Sequence, residues 1–401
     1  MKPTTLTRFL LVLLILFLVA CSSTTENTPT NTPEVAEVAE DPTDVPTEEP
    51  TDVPTEVPTE EPTDEPTEVP TEEPTLEPTP SWVAPEGALV SYPVTEVPVL
   101  DGAADEAAWA GATALQIEVG EGVNDAPDFV EIRSVYTEDT VYFVVTWSDP
   151  TQSYLRSPWV KQEDGSWLKL ADPDDKGGDN NLYYEDKLAF IWSINDSIVG
   201  FVEQGCGTAC HEGQDSEFKP YGNKYTDGEG QWGDIWHWKS VRNVGQIDDQ
   251  YLDWTEYSAD TPEAGRHSDP KDSGGYYNNE SEDKTVPAWM GPAGSSVDGS
   301  PGFLLESDIV PFDDSLFVAG DMIPSIVVAP IVGDRGDIAA AWQWVDGVWT
   351  IEFSRALDTG SEFDVQFADL AQTYFFGVAV FENAQVRHAY QEDATMFVFM
   401  P

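Results

Sequence analysis

The residues with the most specific chemistry are two cysteines and a histidine in one short stretch, Cys206-Gly207-Thr208-Ala209-Cys210-His211. Covalent haem attachment needs this combination, because each thiol adds to one vinyl group of the porphyrin and the histidine beside the second thiol can reach the iron. The spacing is C-x-x-x-C-H, one residue longer than the common C-x-x-C-H. The stretch therefore predicts one covalently bound haem c, with His211 as an axial ligand of the iron.

Two other interpretations of the cysteine pair remain open. In an exported protein, Cys206 and Cys210 could form a disulfide. A zinc site needs four ligands, and the stretch supplies three. The histidine favours haem, because the chain has only 4 His in 401 residues and a chance histidine at this position is correspondingly rare.

The second axial ligand is sought in residues 235–240. If this segment is extended, His237 and Lys239 point to one face while Trp236 and Trp238 point to the other. His237 would bind iron as the neutral ring that predominates at pH 7, whereas Lys239 must first lose a proton, at a cost of about 4 to 5 kcal/mol. Burial against a porphyrin lowers that cost, so both residues stay candidates. Further candidates are Met290, Met322, His267 and His388.

The N-terminal sequence predicts a lipoprotein signal peptide. Lys2 and Arg8 precede an apolar run at residues 9–20, which is too short to span a bilayer. The run ends in Leu18-Val19-Ala20-Cys21, a sequence that resembles a bacterial lipobox. We therefore expect a signal peptide at residues 1–21, lipidation of Cys21, and an exported protein that is attached to the membrane through its lipid.

Residues 22–81 consist mainly of Pro, Thr, Glu, Asp and Val in recurring units such as PTEEPT. Apolar side chains are too sparse and acidic charge too dense for a packed core, so we predict a disordered linker. Residues 82–401 are rich in Trp, Tyr, Phe and Val and are long enough to form one large domain. The formal net charge of the chain is −57, which argues against nucleic acid as a partner.

Residues 82–401 carry the pattern of an all-β protein. Runs of β-branched and aromatic residues recur between turns, and Asp346-Gly347 separates two of them as a two-residue hairpin connection. We expect an antiparallel β-sandwich. Between Gly205 and Pro301 the composition shifts to Gly, Asp, Tyr and Trp, which predicts long functional loops that include the haem motif.

Four segments in this order resemble the haem-binding domain of the ethylbenzene dehydrogenase gamma subunit and of cytochrome c-552-like proteins. They are VLDGAADEAAW at residues 99–109, DKLAFIW at 186–192, DIWHWKSVR at 234–242 and WTIEFSRALDT at 349–359. The resemblance implies a β-sandwich related to family 9 carbohydrate-binding modules. Its dehydrogenase members hold haem b between a methionine and a lysine and take electrons from a molybdenum subunit, which implies Lys239 as a ligand here. The cysteine pair resembles the c-type branch, in which His211 replaces the methionine.

The expected function is electron transfer by a membrane-tethered, extracytoplasmic c-type cytochrome. Two nitrogen ligands leave no open position on the iron, and the sequence shows no nucleophile and base in a recognisable motif, so we do not expect an enzyme in its own right. The expected partner is a redox protein, with a molybdenum oxidoreductase implied by the resemblance. The alternative is a cell-surface carbohydrate-binding module without haem, in which Cys206 and Cys210 form a disulfide.

Overall fold

The structure is a computed structural model that describes residues 82–174, 182–209, 224–292 and 302–401. All of them belong to one compact unit of the chain, Glu77–Pro401. Cys21, the predicted signal peptide, the predicted linker, Cys210 and His211 lie outside the described residues. Within the described ranges, no helix is long and apolar enough to cross a membrane.

The described chain is mainly β. Its strands are β1 (Leu89–Pro93), β2 (Leu115–Glu118), β3 (Phe129–Tyr136), β4 (Thr140–Ser148), β5 (Trp159–Lys161), β6 (Trp167–Lys169), β7 (Lys187–Ser193), β8 (Gly233–Lys239), β9 (Asp248–Leu252), β10 (Arg266–Ser268), β11 (Ser273–Asn278), β12 (Trp289–Met290), β13 (Leu304–Leu305), β14 (Val310–Pro311), β15 (Met322–Ile323), β16 (Ile326–Val332), β17 (Ala339–Val345), β18 (Val348–Ala356), β19 (Tyr374–Phe381), β20 (Ala389–Tyr390) and β21 (Thr395–Phe399). The α-helices are α1 (Ala107–Gly111) and α2 (Phe201–Gln204). Short 3-10 turns lie at Ile194–Asp196, Gly205–Thr208, Asp314–Leu316 and Asp334–Gly336.

Thirteen strands form one large sheet. Its order is β10-β9-β8-β7-β19-β21-β1-β3-β4-β18-β17, with β2 paired to β3 and β20 paired to β19. Most neighbours are antiparallel, but β1 lies parallel to both β21 and β3. Smaller sheets are formed by β11-β16-β13, β15-β5-β6 and β12-β14.

The large sheet folds over on itself, so that its two halves enclose an aromatic core. Phe143 of β4 contacts Phe190 of β7 and Trp236 of β8, with ring centroids 6.3 and 5.7 Å apart. It also stacks on Phe353 of β18 at 5.2 Å. Because β4 and β18 belong to one half of the strand order and β7 and β8 to the other, these contacts join two layers. The predicted all-β sandwich is confirmed.

The predicted hairpin between β17 and β18 is also confirmed. Val345 pairs with Val348, and the two residues between them, Asp346 and Gly347, have φ angles of 50° and 82°. Two successive positive φ angles define the type I′ turn, whose twist matches that of the flanking strands.

The prediction of long loops between Gly205 and Pro301 is wrong for much of residues 224–292, which contain β8 to β12. Every residue of β8 is buried, as are Asp248, Asp249 and Gln250 of β9. The polar residues of β8 alternate with tryptophans, yet both faces of the strand are buried, which is unusual for a strand with polar residues on one face. Asp234 of β8 and Asp248 of β9 are held in internal ion pairs, so these strands contain polar residues that are more typical of a loop.

Replacing Phe143 by alanine should test how far the fold depends on this aromatic contact between the layers. Phe143 is fully buried, so Phe143→Ala should lower the free energy of unfolding in urea by about 3–5 kcal/mol. Phe129 at the start of β3 is 49% exposed, and Phe129→Ala is the matched control. Equal losses of stability in the two variants would contradict a core centred on Phe143.

Candidate functional site

A cavity lies on the face of β7, β8 and β19 that points away from the aromatic core. The register places Ala189 of β7 between His237 of β8 and Ala379 of β19. One step along the strands, Ile191 pairs with Ile235 on one side and with Gly377 on the other. Small side chains in the middle of this surface form a shallow floor beneath a cavity of about 270 Å³.

Cys206 forms part of the wall of this cavity. It follows α2, lies in the 3-10 turn Gly205–Thr208 and is 4% exposed. Its sulfur packs close to β19 because position 377 has no side chain: a Cβ there would lie 2.9 Å from Cys206 Sγ. The predicted attachment residues Cys210 and His211 follow Ala209 directly in sequence, and Ala209 is fully buried in the same apolar cluster as Cys206.

His237 lines the same cavity and is 5% exposed. Burial, reinforced by the charges of Lys239 and Arg266, holds the pKa of His237 well below its usual value, so the ring is neutral at pH 7. Its Nδ1 lies 2.5 Å from Arg266 Nη2. Because a guanidinium can only donate, Nδ1 accepts this hydrogen bond and the proton of the neutral ring resides on Nε2. Within the described residues, Nε2 is buried without a hydrogen-bond partner.

Lys239 lies on the same side of β8 as His237, as the alternation predicts, but it does not line the cavity. Its ammonium group binds Asp248, which also binds Arg335. Burial lowers the pKa of Lys239 to about 8, although the charge of Asp248 acts in the opposite direction. Trp236 and Trp238 project into the aromatic core on the other side of the strand.

The cavity is lined by four basic residues that the sequence did not single out, although burial lowers the pKa of one of them, Lys187, well below its usual value. They are Lys187, Lys224, Arg266 and Arg387, whereas Glu121 is the one acidic residue among the lining residues that the structure describes. Lys187 is 2% exposed, donates to the carbonyl of Gln385 at 3.0 Å and lies 3.8 Å from the centroid of the Phe381 ring. In a chain with only 18 Lys and Arg residues, this concentration makes the cavity suited to a ligand with anionic groups.

The sequence contained a partial signal for Lys187 and none for the other cations. Lys187 opens an otherwise apolar strand, where a lysine is unusual. Lys224 and Arg387 lie outside the regular strands, and only the fold brings them to the cavity.

Of the other candidate ligands, only His388 lines the cavity, where its ring lies 4.4 Å from that of Phe381. His267 contacts Asp253 at 3.2 Å, and Met290 belongs to a separate apolar cluster. Met322 lies in β15, which pairs with β5 in one of the small sheets.

The fold and cavity define a β-sandwich protein with a cavity lined by basic residues. Residues 106–393 match the ethylbenzene dehydrogenase family, and the chain belongs to that family. This confirms the resemblance at the level of the family and associates the chain with an oxidoreductase. No curated protein matches the sequence.

Solved structures with a similar fold include a family 9 carbohydrate-binding module from Caldicellulosiruptor kristjanssonii in complex with glucose. It is 6% identical over 78% of this chain and 95% of its own, with a TM-score of 0.29. The same module in complex with cellotriose is 5% identical over 78% and 94% of the two chains, also with a TM-score of 0.29.

The neutral state of His237 can be tested by NMR on protein prepared without haem. The imidazole signal that disappears in His237→Gln should keep the chemical shift of a neutral ring from pH 8 down to pH 5, because burial and neighbouring cations oppose protonation. The unfolded chain takes up this proton near pH 6.5, so His237 should weaken stability as pH falls below that value, by up to about 1.4 kcal/mol per pH unit. A titration midpoint at or above pH 6 would contradict this description of the cavity.

Proposed function

We propose that this protein is an exported, lipid-anchored c-type cytochrome that transfers electrons. In this proposal Cys206 and Cys210 attach one haem through thioether bonds, and His211 and His237 are the axial ligands of the iron. The observation that carries it is that Cys206 and His237, which are 31 positions apart in the sequence (237 − 206), line one cavity. Cys210 and His211 follow Cys206 within five residues.

The cavity residues fit a haem in three respects. The floor built from Ala189, Ala379 and Gly377 offers an apolar surface with small side chains on which a macrocycle could lie. The lysines and arginines around it can bind the two propionates as ion pairs. His237 is held neutral, which is the state in which a histidine coordinates a metal.

Ligand chemistry favours His237 over Lys239. Coordination through His237 Nε2 requires the ring proton to move to Nδ1, so Arg266 must release Nδ1 and turn elsewhere. Coordination through Lys239 requires its ammonium to lose a proton and to leave a buried ion pair with Asp248. His237 needs the smaller rearrangement, and Lys239 remains the rival that the family resemblance suggests.

An iron with two nitrogen ligands supplies one-electron transfer without an open position for substrate. The protein around it must therefore bind a redox partner rather than a small substrate. Membership of the ethylbenzene dehydrogenase family makes a molybdenum oxidoreductase the first partner to test. The predicted lipid on Cys21 and the predicted linker would keep the cytochrome at the outer side of a membrane.

The sugar-binding alternative rests on aromatic platforms, and the structure offers few. All 14 tryptophans lie within the described ranges, and among them only Trp82 is exposed, with 39% of its surface accessible. The others are buried or half-buried, so they support the core more than a binding surface.

Haem attachment can be tested on protein expressed with a c-type maturation system. A pyridine haemochrome spectrum and intact-mass analysis should show one covalent haem in the wild type. Cys206→Ser and Cys210→Ser should each remove one of the two thioether bonds, whereas Cys21→Ser should keep the haem and lose only the lipid. Absence of porphyrin mass, or a disulfide between Cys206 and Cys210, would refute the cytochrome and favour the sugar-binding module.

The axial ligand can be tested on the matured protein by comparing His237→Ala with Lys239→Ala. His237→Ala should convert the low-spin absorption spectrum towards high spin, because it removes a nitrogen ligand. Lys239→Ala should leave the spectrum low spin. The opposite pattern would transfer the ligand role to Lys239, and an unchanged spectrum in both variants would exclude both assignments.

A further inference from the structure

Three buried aspartates come together on the opposite face of β8 from the cavity, and a fourth, Asp269, lies close enough for its charge to act on theirs. Asp234 lies in β8, Asp249 in β9, Asp269 directly after β10, and Asp364 between β18 and β19. Their exposures are 0%, 0%, 3% and 1%. The four residues come from separate stretches of the chain, so the fold assembles the group.

The group carries more negative charge than the protein neutralises. Arg355, itself 2% exposed, pairs with Asp234 at 2.9 Å and with Asp364 at 2.6 Å. In the part of the chain that the structure describes, no other Lys or Arg forms an ion pair with these four aspartates. One cation against four ionised carboxylates leaves three negative charges in a buried place, which is costly unless something binds them.

Several carboxylate oxygens of the group also lack a hydrogen-bond partner among the described residues. They are Asp234 Oδ1, Asp249 Oδ2, both oxygens of Asp269 and Asp364 Oδ1. Asp269 is therefore a buried side chain with no donor on either oxygen. Buried polar groups in native proteins are almost always bonded, so oxygens in this state require either a cation or protons shared between neighbouring carboxyls.

The all-oxygen donor set indicates the class of ligand. One carboxylate oxygen from each of Asp234, Asp249 and Asp364 lies within 4.8 Å of the other two. Calcium binds oxygen at about 2.3–2.6 Å, so two oxygens on the same ion can be at most about 5 Å apart. Calcium accepts six to eight oxygen ligands in a flexible arrangement, whereas zinc prefers nitrogen and sulfur and magnesium keeps several waters.

We propose that Asp234, Asp249, Asp269 and Asp364 form a structural calcium site. The ion would neutralise most of the excess charge and fasten β8, β9 and the connection between β18 and β19 to one another. It would thereby stiffen β8, the strand that positions His237 on its other face. The site is independent of the haem proposal, because it shares no residue with the cavity.

The competing explanation is that protons rather than a cation satisfy the aspartates. Burial, and after it the charges of Asp234 and Asp364, raises the pKa of Asp269 to about 9. Without a cation, this carboxyl would be protonated at pH 7, and calcium would then have no effect on the fold.

The test uses the full-length protein after treatment with EDTA. Terbium(III) is a luminescent substitute for calcium, and the ring of Trp236 lies 5.2 Å from Arg355 Cζ, close enough to sensitise an ion bound in the group. We expect tryptophan-sensitised terbium emission that calcium displaces, and a thermal midpoint that rises by several degrees in millimolar calcium.

Asp269→Asn and Asp249→Asn should each weaken calcium competition about tenfold or more, because each removes a charged ligand. Asp260→Asn changes an exposed aspartate in the loop between β9 and β10 and is the matched control. Other acidic segments bind terbium weakly, so the informative quantity is the difference between each variant and this control. Without calcium, burial and neighbouring carboxylates raise the pKa of Asp249 and Asp269 and favour their neutral forms, so both variants should be about as stable as the wild type.

The proposal fails if calcium leaves the thermal midpoint of the wild type unchanged. It also fails if Asp269→Asn and Asp249→Asn keep the calcium response of Asp260→Asn. Should one variant not fold, the other and the wild-type calcium response still decide the question.

Discussion

The rest of the structure depends on the burial of Trp236 and Trp238 between the two halves of the folded sheet. Their rings form aromatic contacts with Phe143 and Trp349 from the opposite layer, which hold β8 at the centre of the domain. Side chains alternate along a strand, so burying the tryptophans on one face turns His237 to the other. The position of the imidazole in the cavity is thus a consequence of core packing.

β8 also separates two regions of opposite charge. On one face, lysines and arginines surround the cavity; on the other, aspartates surround Arg355. Charges interact more strongly in a buried setting than in water, so the charges of each region shift the pKa values of the residues within it. The cations, together with burial, keep His237 neutral, whereas burial and neighbouring carboxylates raise the pKa of Asp269. In the two proposals, β8 would carry residues for a ligand on each of its faces.

The wall of the cavity depends on a local feature of β19. Gly377 leaves room for Cys206 Sγ, and the buried turn after α2 holds the cysteine against the sheet. In the proposed cytochrome this arrangement would fix the position of the first thioether bond. The haem-attachment segment that begins at Cys206 would therefore start at a fixed place on the sheet. The membership of the ethylbenzene dehydrogenase family is consistent with a redox role for such a site. The domain would then bind one haem in a rigid position for electron transfer.

Local patterns in the sequence were sufficient to predict the β-sandwich, several of its strands and the Asp346-Gly347 turn, because period-two alternation and turn chemistry act between near neighbours. The C-x-x-x-C-H stretch could also be recognised, because its cysteines and histidine lie close together in the sequence. Only the tertiary structure decided that His237 lines the cavity while Lys239 binds Asp248, and that Lys187, Lys224 and Arg387 meet there. The cavity joins residues that are distant in the chain, and the polar residues of β8 are buried although they alternate with tryptophans. Local periodicity carries no information about such pairing, which is determined by the folding of one sheet onto itself.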